Sequence, residues 1–156
     1  MSSNELDTKH PIMLFDGRCF FCNGMCNFII RFEFSRQLRF APLQSKAGKT
    51  LLAKSGRQDI VKGHDVGDYG SFVIVDKDGK AHTHFGAVTQ MFRFMGGVWT
   101  IFGNCCYWLV PSFLGNAIYS LGWRYRYNVM GKSETGCVVP TKALRERLIP
   151  GAEDFD

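Results

Sequence analysis

Apolar positions gather in short runs through the first two thirds of the chain and in one long run after residue 96. Ile12-Met13-Leu14-Phe15 is an unbroken apolar run, which predicts a strand buried on both faces. From Phe20 to Phe34 the period changes. Phe21, Met25, Phe28 and Phe32 recur at helical spacing with Cys22, Cys26 and Ile29 beside them, so a helix is expected over 20–34. Gly24 inside it costs about 1 kcal/mol of helix propensity and suggests close packing or a nearby site. Leu38 to Ala41 predicts a second strand, ended by Pro42. Residues 44–54 predict a helix with Leu51 and Leu52 inward.

A Gly- and Asp-rich loop from Gly56 to Gly70 precedes Ser71-Phe72-Val73-Ile74-Val75, the strongest strand signal in the chain. Asp76-Lys77-Asp78-Gly79 is a turn, so Lys80 to His84 should return antiparallel. A helix is expected over 86–95. The order strand, helix, strand, helix, strand, strand, helix predicts a thioredoxin-like α/β fold, a mixed sheet with helices on both faces. No charged residue occurs from Gly96 to Trp123, a length that could span a bilayer. Pro111 should break it, together with Gly103, Asn104, Gly115 and Asn116. Two short helices, 99–109 and 112–122, are expected to pack on the core, with in-plane membrane contact favoured over a span.

At 156 residues the chain suits a single domain over 11–150, with about 98–148 a helical C-terminal extension and tail, and 1–10 a disordered N-terminal tail. Net charge is +5, but Lys and Arg are spread along the chain in no block, which argues against nucleic-acid binding. The polar first ten residues lack the apolar centre of a secretory signal. A cytoplasmic, reducing location is therefore expected, where the six cysteines rest as thiols.

The chemistry centres on Cys19-Phe20-Phe21-Cys22, placed after the first strand and the turn pair Asp16-Gly17. A helix N-terminus favours thiolate over thiol, and a second sulfur one turn along can close a disulfide. Cys19 is expected to be the exposed nucleophile, its pKa below the free value of about 8.5, with Arg18 adding to the effect. Cys22 should be the buried resolving thiol. Asp16 opposes thiolate formation where its carboxylate is close. It fits better as an acceptor of turn N–H groups or of the Cys22 proton.

Other motifs are weaker. Cys26 shares the helix face of Cys19 and Cys22, and with Cys137 these could hold zinc or an iron–sulfur cluster. Thiols along one rigid helix do not wrap an ion, so Cys26 reads as a small buried hydrophobe. Cys105-Cys106 reads as core. His82 and His84 share one face of a strand and could pair on a metal, although an exposed edge hairpin explains them better. Lys46-Ala47-Gly48-Lys49-Thr50 is similar to the end of a phosphate-binding loop, but Leu43 stands where its first glycine is required. Leu14-Phe15-Asp16-Gly17 is similar to the nucleophile strand of aspartate-based phosphatases, but Arg18 replaces the second aspartate.

Taken together, these residues resemble the DCC family of bacterial thiol–disulfide oxidoreductases, named for an Asp-x-x-Cys-x-x-Cys motif. Here that motif is Asp16, Cys19 and Cys22 within Leu14 to Asn23. The likeness continues through Leu38 to Ser45, Gly48, Gly96 to Trp99, Asn128, Gly131 and Cys137 to Pro140, roughly residues 11–148. The resemblance implies a thioredoxin-like fold and dithiol exchange. No bound cofactor is needed, because the electrons reside in the dithiol, and the partner is a protein or small-molecule thiol or disulfide. Two departures stand out. The position before the third strand, near Gly70 and Ser71, lacks the proline of thioredoxin-type enzymes, and Phe85-Gly86-Ala87 lacks a polar helix cap. The shared motif makes Cys137, with Pro140, a candidate third redox participant. The alternative is a non-enzymatic module with structural or metal-binding cysteines. Its apolar segment, Trp99 to Trp123, would dock to a membrane or a protein.

Overall fold

The computed structural model describes residues 9–57, 72–130 and 141–152. The expectations for the first eight residues, for Gly70 and Ser71, and for Cys137 and Pro140 fall outside the described residues.

Four strands form one mixed sheet: β1 Ile12–Phe15, β2 Arg39–Pro42, β3 Val73–Val75 and β4 Ala81–Thr83, in the spatial order β2-β1-β3-β4. β1 runs parallel to β2, with Ile12 opposite Arg39 and Phe15 opposite Pro42. It runs antiparallel to β3, with Leu14 opposite Val73. β3 and β4 form the expected hairpin, Val75 opposite Ala81. The second strand ends at Pro42 as expected, with the proline itself as its last paired residue. The Arg39 and Leu43 N–H groups bond to the Pro11 and Phe15 carbonyls, and the Phe40 N–H points the other way, to Arg147 O. Position 42 shares the outward phase of residue 40, so a missing N–H there breaks no bond to β1.

Because side chains alternate across a strand, the sheet buries two layers. On one face Met13, Phe15, Phe40 and Ile74 pack against α1 (Phe20–Phe32) and α3 (His84–Met95). On the other, Ile12, Leu14, Ala41, Val73 and Val75 pack against α2 (Lys46–Lys54) and the C-terminal Ile149 and Ala152. This is the thioredoxin-like α/β arrangement read from the sequence. Gly48 serves packing: a Cβ there would run into the Pro42 carbonyl, so only glycine lets α2 lie this close to the end of β2.

α3 starts two residues earlier than expected, so His84 opens a helix at φ 52° instead of sharing a strand face with His82. His82 instead bonds Asp76 across the turn at 2.9 Å. The apolar stretch forms α4 (Val98–Leu109) and α5 (Ser112–Met130), separated at Pro111 as expected. α5 runs well past residue 122, because no Gly or Pro follows Gly122 in the sequence until Gly131. Both helices lean on α3. Gly103 of α4 sits where a Cβ would lie 2.9 Å from Thr89 O, and Gly115 of α5 lies under the Phe85 ring. Among the described residues no helix is long and apolar enough to cross a membrane.

The last described segment carries α6 (Lys142–Arg145), capped by Thr141, whose hydroxyl accepts the Leu144 N–H. Leu148 then pairs in parallel with Phe40, covering the outer edge of β2. Arg147 fastens this edge from inside, donating to Glu33 Oε2 at 2.6 Å and to Leu38 O at 2.9 Å.

Candidate active site

β1 delivers the chain into the turn Asp16-Gly17-Arg18, and α1 begins immediately after it. Cys19 is the residue before the first helical turn, extended at φ −90° and ψ 120°, and its N–H bonds back to Asp16 O at 3.2 Å. No acidic residue occupies the first turn of α1, so nothing there cancels the positive end of the helix dipole.

Three polar side chains hold the turn. Asp16 is buried, and its Oδ1 accepts the Arg18 N–H at 3.0 Å and the Gln44 Nε2–H at 2.7 Å. Gln44 reaches across from the end of β2, and its own Oε1 accepts the Gly17 N–H at 3.0 Å. Asn23 closes the turn from below, its Nδ2 donating to Gly17 O at 3.2 Å and Cys19 O at 3.0 Å. Arg18 is half-buried beside the turn.

Cys19, Cys22 and Cys26 all lie in the core layer that α1 shares with α3 and with Trp123 of α5, with no exposed surface. The expected exposure of Cys19 is therefore corrected. As the cap of α1 it belongs to the buried apolar layer that also holds Met13, Phe15 and Trp123 and has no exposed surface at the helix tip. The inward stripe of α1 is Cys22, Asn23, Cys26 and Ile29, while Phe20, Phe21, Phe28 and Phe32 ride on its outer side. The sequence stripe was thus rotated by about one residue, because bulky phenylalanines outweigh cysteines in any hydrophobic pattern. Gly24 faces open space and reflects no close packing. Cys105 is exposed and Cys106 half-exposed, so that pair is not core either. Cys26 is buried, as expected for a small hydrophobe.

The thiols differ electrostatically. The hydrogen bond between Cys22 and Cys19, then burial, then the charges of Cys19, Asp16 and Cys26 push the Cys22 thiol far up. Burial first, and Cys19 second, also push Cys26 well up, against a small opposing backbone bond. Cys22 and Cys26 therefore hold their protons more tightly than free thiols do, and Cys22 does so first through its hydrogen bond with Cys19. Among the described residues no three His, Cys, Asp or Glu are grouped to hold a metal ion.

Gln44 and Asn23 were not singled out as site residues from chemistry alone. Both lie inside the runs that carried the resemblance, but nothing in the sequence pattern indicates that one amide spans two strands to reach Asp16.

A family model described as DCC1-like thiol-disulfide oxidoreductase matches residues 13–132, which contain this whole arrangement. The chain is 31% identical over 150 residues to the uncharacterized protein YuxK of Bacillus subtilis, covering 96% of this chain and 100% of that one. It is 33% identical over 131 residues to a chloroplastic DCC family protein of Arabidopsis thaliana, covering 83% of this chain and 70% of the relative. No solved structure matches.

Proposed function

The chain belongs to the DCC1-like thiol-disulfide oxidoreductase family, and on that premise we propose that Cys19 and Cys22 carry out two-electron thiol–disulfide exchange. What supports this most is the placement of the pair at the start of α1, with the Cys22 thiol hydrogen-bonded to Cys19 and its proton held by that bond, by burial and by the neighbouring charges.

The Cys19 thiolate attacks a substrate disulfide, forms a mixed disulfide and releases one substrate thiolate, which takes up a proton. Cys22 then passes its proton toward Asp16 and attacks the Cys19 sulfur. A second substrate thiol leaves, and a Cys19–Cys22 disulfide remains. Two electrons have moved from the protein to the substrate, and an external thiol, protein or small molecule, restores the dithiol. Arg18, beside the turn, would favour the Cys19 anion. The burial of Cys19 means that substrate gains access only when the layer above it opens.

Cys137 is proposed as an accessory thiol. Thr141, four residues later, donates to Asn27 of α1 at 2.6 Å, so the chain re-enters the described structure against the helix that carries the dithiol. Loss of Cys137 (Cys137→Ser) should then alter the exchange rate or the dithiol potential. If both are unchanged, the accessory role is excluded.

The burial of both thiols also favours a second reading, in which they are structural. Equilibration in glutathione buffers, with alkylation and mass spectrometry, separates the two. Exchange chemistry predicts a reversible Cys19–Cys22 couple between about −120 and −270 mV. Cys22→Ser should trap a mixed disulfide on Cys19. No disulfide at any poise, or stoichiometric zinc or iron in the purified protein, would remove the enzymatic reading.

A further inference from the structure

α4 and α5 are apolar on two faces, and the core uses only one. The inner face of α5 places Tyr119 and Trp123 against Phe72, with ring centroids 5.9 and 6.1 Å away. Its outer face carries Ile118, Leu121, Tyr125 and Val129, spaced by three, four and four residues, all exposed. α4 repeats the pattern. Gly103 presses on α3, while Val98, Ile101 and Leu109 face outward. Where the two helices meet, Trp108 is 81% exposed, Leu109 79% and Phe113 77%. A soluble surface rarely leaves so many large apolar side chains together without a partner.

Charge identifies the partner. The chain has 19 Lys and Arg against 14 Asp and Glu. From Gly79 to Ser133, the stretch holding α3, α4 and α5, there is no acidic residue, while Lys80, Arg93, Arg124, Arg126 and Lys132 are basic. The rest of the chain is balanced at fourteen of each, so the entire surplus of five sits in this stretch. Arg93 lies over the Tyr107 ring, 5.7 Å from its centroid, and Arg124 is exposed.

We propose that the α4–α5 face binds in the plane of an anionic phospholipid bilayer, with the Trp108–Phe113 corner inserted among the headgroups. Exposed tryptophan and tyrosine suit the boundary between headgroups and acyl chains, and a sequence stretch with basic but no acidic residues suits anionic lipid. A second copy of this chain fits poorly. A two-fold contact would set basic residues against their own mates with no carboxylate in the stretch to pair with them. The proposal is independent of the thiol chemistry.

Co-sedimentation tests it, using the full chain with vesicles of phosphatidylcholine alone or of equimolar phosphatidylcholine and phosphatidylglycerol. The protein should bind the anionic vesicles, less so at high salt, with tryptophan emission shifting to the blue. W108S/L109S should weaken that binding by about tenfold or more, since two apolar side chains that would enter the bilayer are lost. Both residues are exposed, so its thermal unfolding should stay close to wild type. Phe113→Ser gives a second, smaller readout should the double variant fold poorly. Absence of binding to anionic vesicles would overturn the proposal, as would unchanged binding by these variants. A dimer in light scattering that W108S/L109S dissociates would assign the face to self-association instead.

Discussion

Gln44 Nε2 donates to Asp16 Oδ1 across 2.7 Å, joining the end of β2 to the carboxylate beside the thiols. The same amide receives the Gly17 N–H, so one side chain fixes both the acid and the backbone of the turn. Gln44→Leu should remove both bonds and leave a buried carboxylate short of a donor. A stability loss of about 1–3 kcal/mol is expected in urea unfolding. Disulfide formation between Cys19 and Cys22 should slow by more than that loss explains, because Asp16 is no longer held for the proton transfer. Oxidation kinetics at wild-type speed in a folded Gln44→Leu protein would show that Asp16 takes no part.

The sheet was legible in the sequence because its two central strands are short, wholly apolar and bounded by turn residues. Ile12–Phe15 and Val73–Val75 are such runs, and the Asp76–Gly79 turn fixed the hairpin between β3 and β4. The dithiol was legible as a motif, its burial was not. Exposure of Cys19 depends on how α1 packs on the sheet and against α5, which is long-range packing that spacing along one helix does not encode. The outward rotation of Phe21, Phe28 and Phe32 has the same origin. Phe28 is satisfied by Trp99, 71 positions away, at 5.8 Å between ring centroids. Gln44 escaped notice for a related reason: a polar residue after a strand looks like a solvated loop until a buried carboxylate is found opposite it.

Glu33 has a fully buried side chain, and Arg147 is the cation that meets it, at 2.6 Å. Glu33 Oε1 also accepts the Leu38 N–H at 2.9 Å. Removing the arginine alone strands a buried carboxylate, so Arg147→Ala should cost about 3–5 kcal/mol. The double variant with Glu33→Gln should recover part of that loss. Because Arg147 also secures the segment pairing with Phe40, limited proteolysis should cut the C-terminal end of Arg147→Ala first. Equal resistance in variant and wild type would mean that the edge is held by the Leu148 backbone pairing instead.

The β3–β4 turn has its own carboxylate. Burial alone would raise Asp76, but the bond to His82 and the N–H groups of Lys80 and Asp78 hold it below its ordinary value of 3.8. A depressed folded-state value adds stability above 3.8 that is lost as pH falls through the lower folded value. Asp76→Ala should therefore cost about 1–2 kcal/mol at neutral pH. That gap should narrow once the pH drops below the ordinary value. A difference that stays constant from pH 7 to about 2.5 would assign the effect to turn conformation rather than charge.

The thiols predict the opposite dependence at alkaline pH. Cys22 and Cys26 are both raised above the ordinary 9.0 in the folded protein, Cys22 first by its bond to Cys19 and Cys26 first by burial. The folded state therefore holds protons that the unfolded chain releases. The resulting stability is complete below pH 9.0 and is lost as pH rises toward the folded values. Each such thiol contributes a slope of up to about 1.4 kcal/mol per pH unit, so the reduced protein should lose up to about 2.7 kcal/mol per unit above pH 9. Cys26→Ala should halve that slope while leaving the Cys19–Cys22 couple in place. Oxidation to the Cys19–Cys22 disulfide removes the Cys22 proton as well, so oxidised Cys26→Ala should show neither contribution. A reduced protein whose stability is flat between pH 8.5 and 10.5, measured by urea unfolding under anaerobic reductant, would mean that Cys22 and Cys26 ionise as readily folded as unfolded. The division of roles between Cys19 and Cys22 would then lose its electrostatic basis.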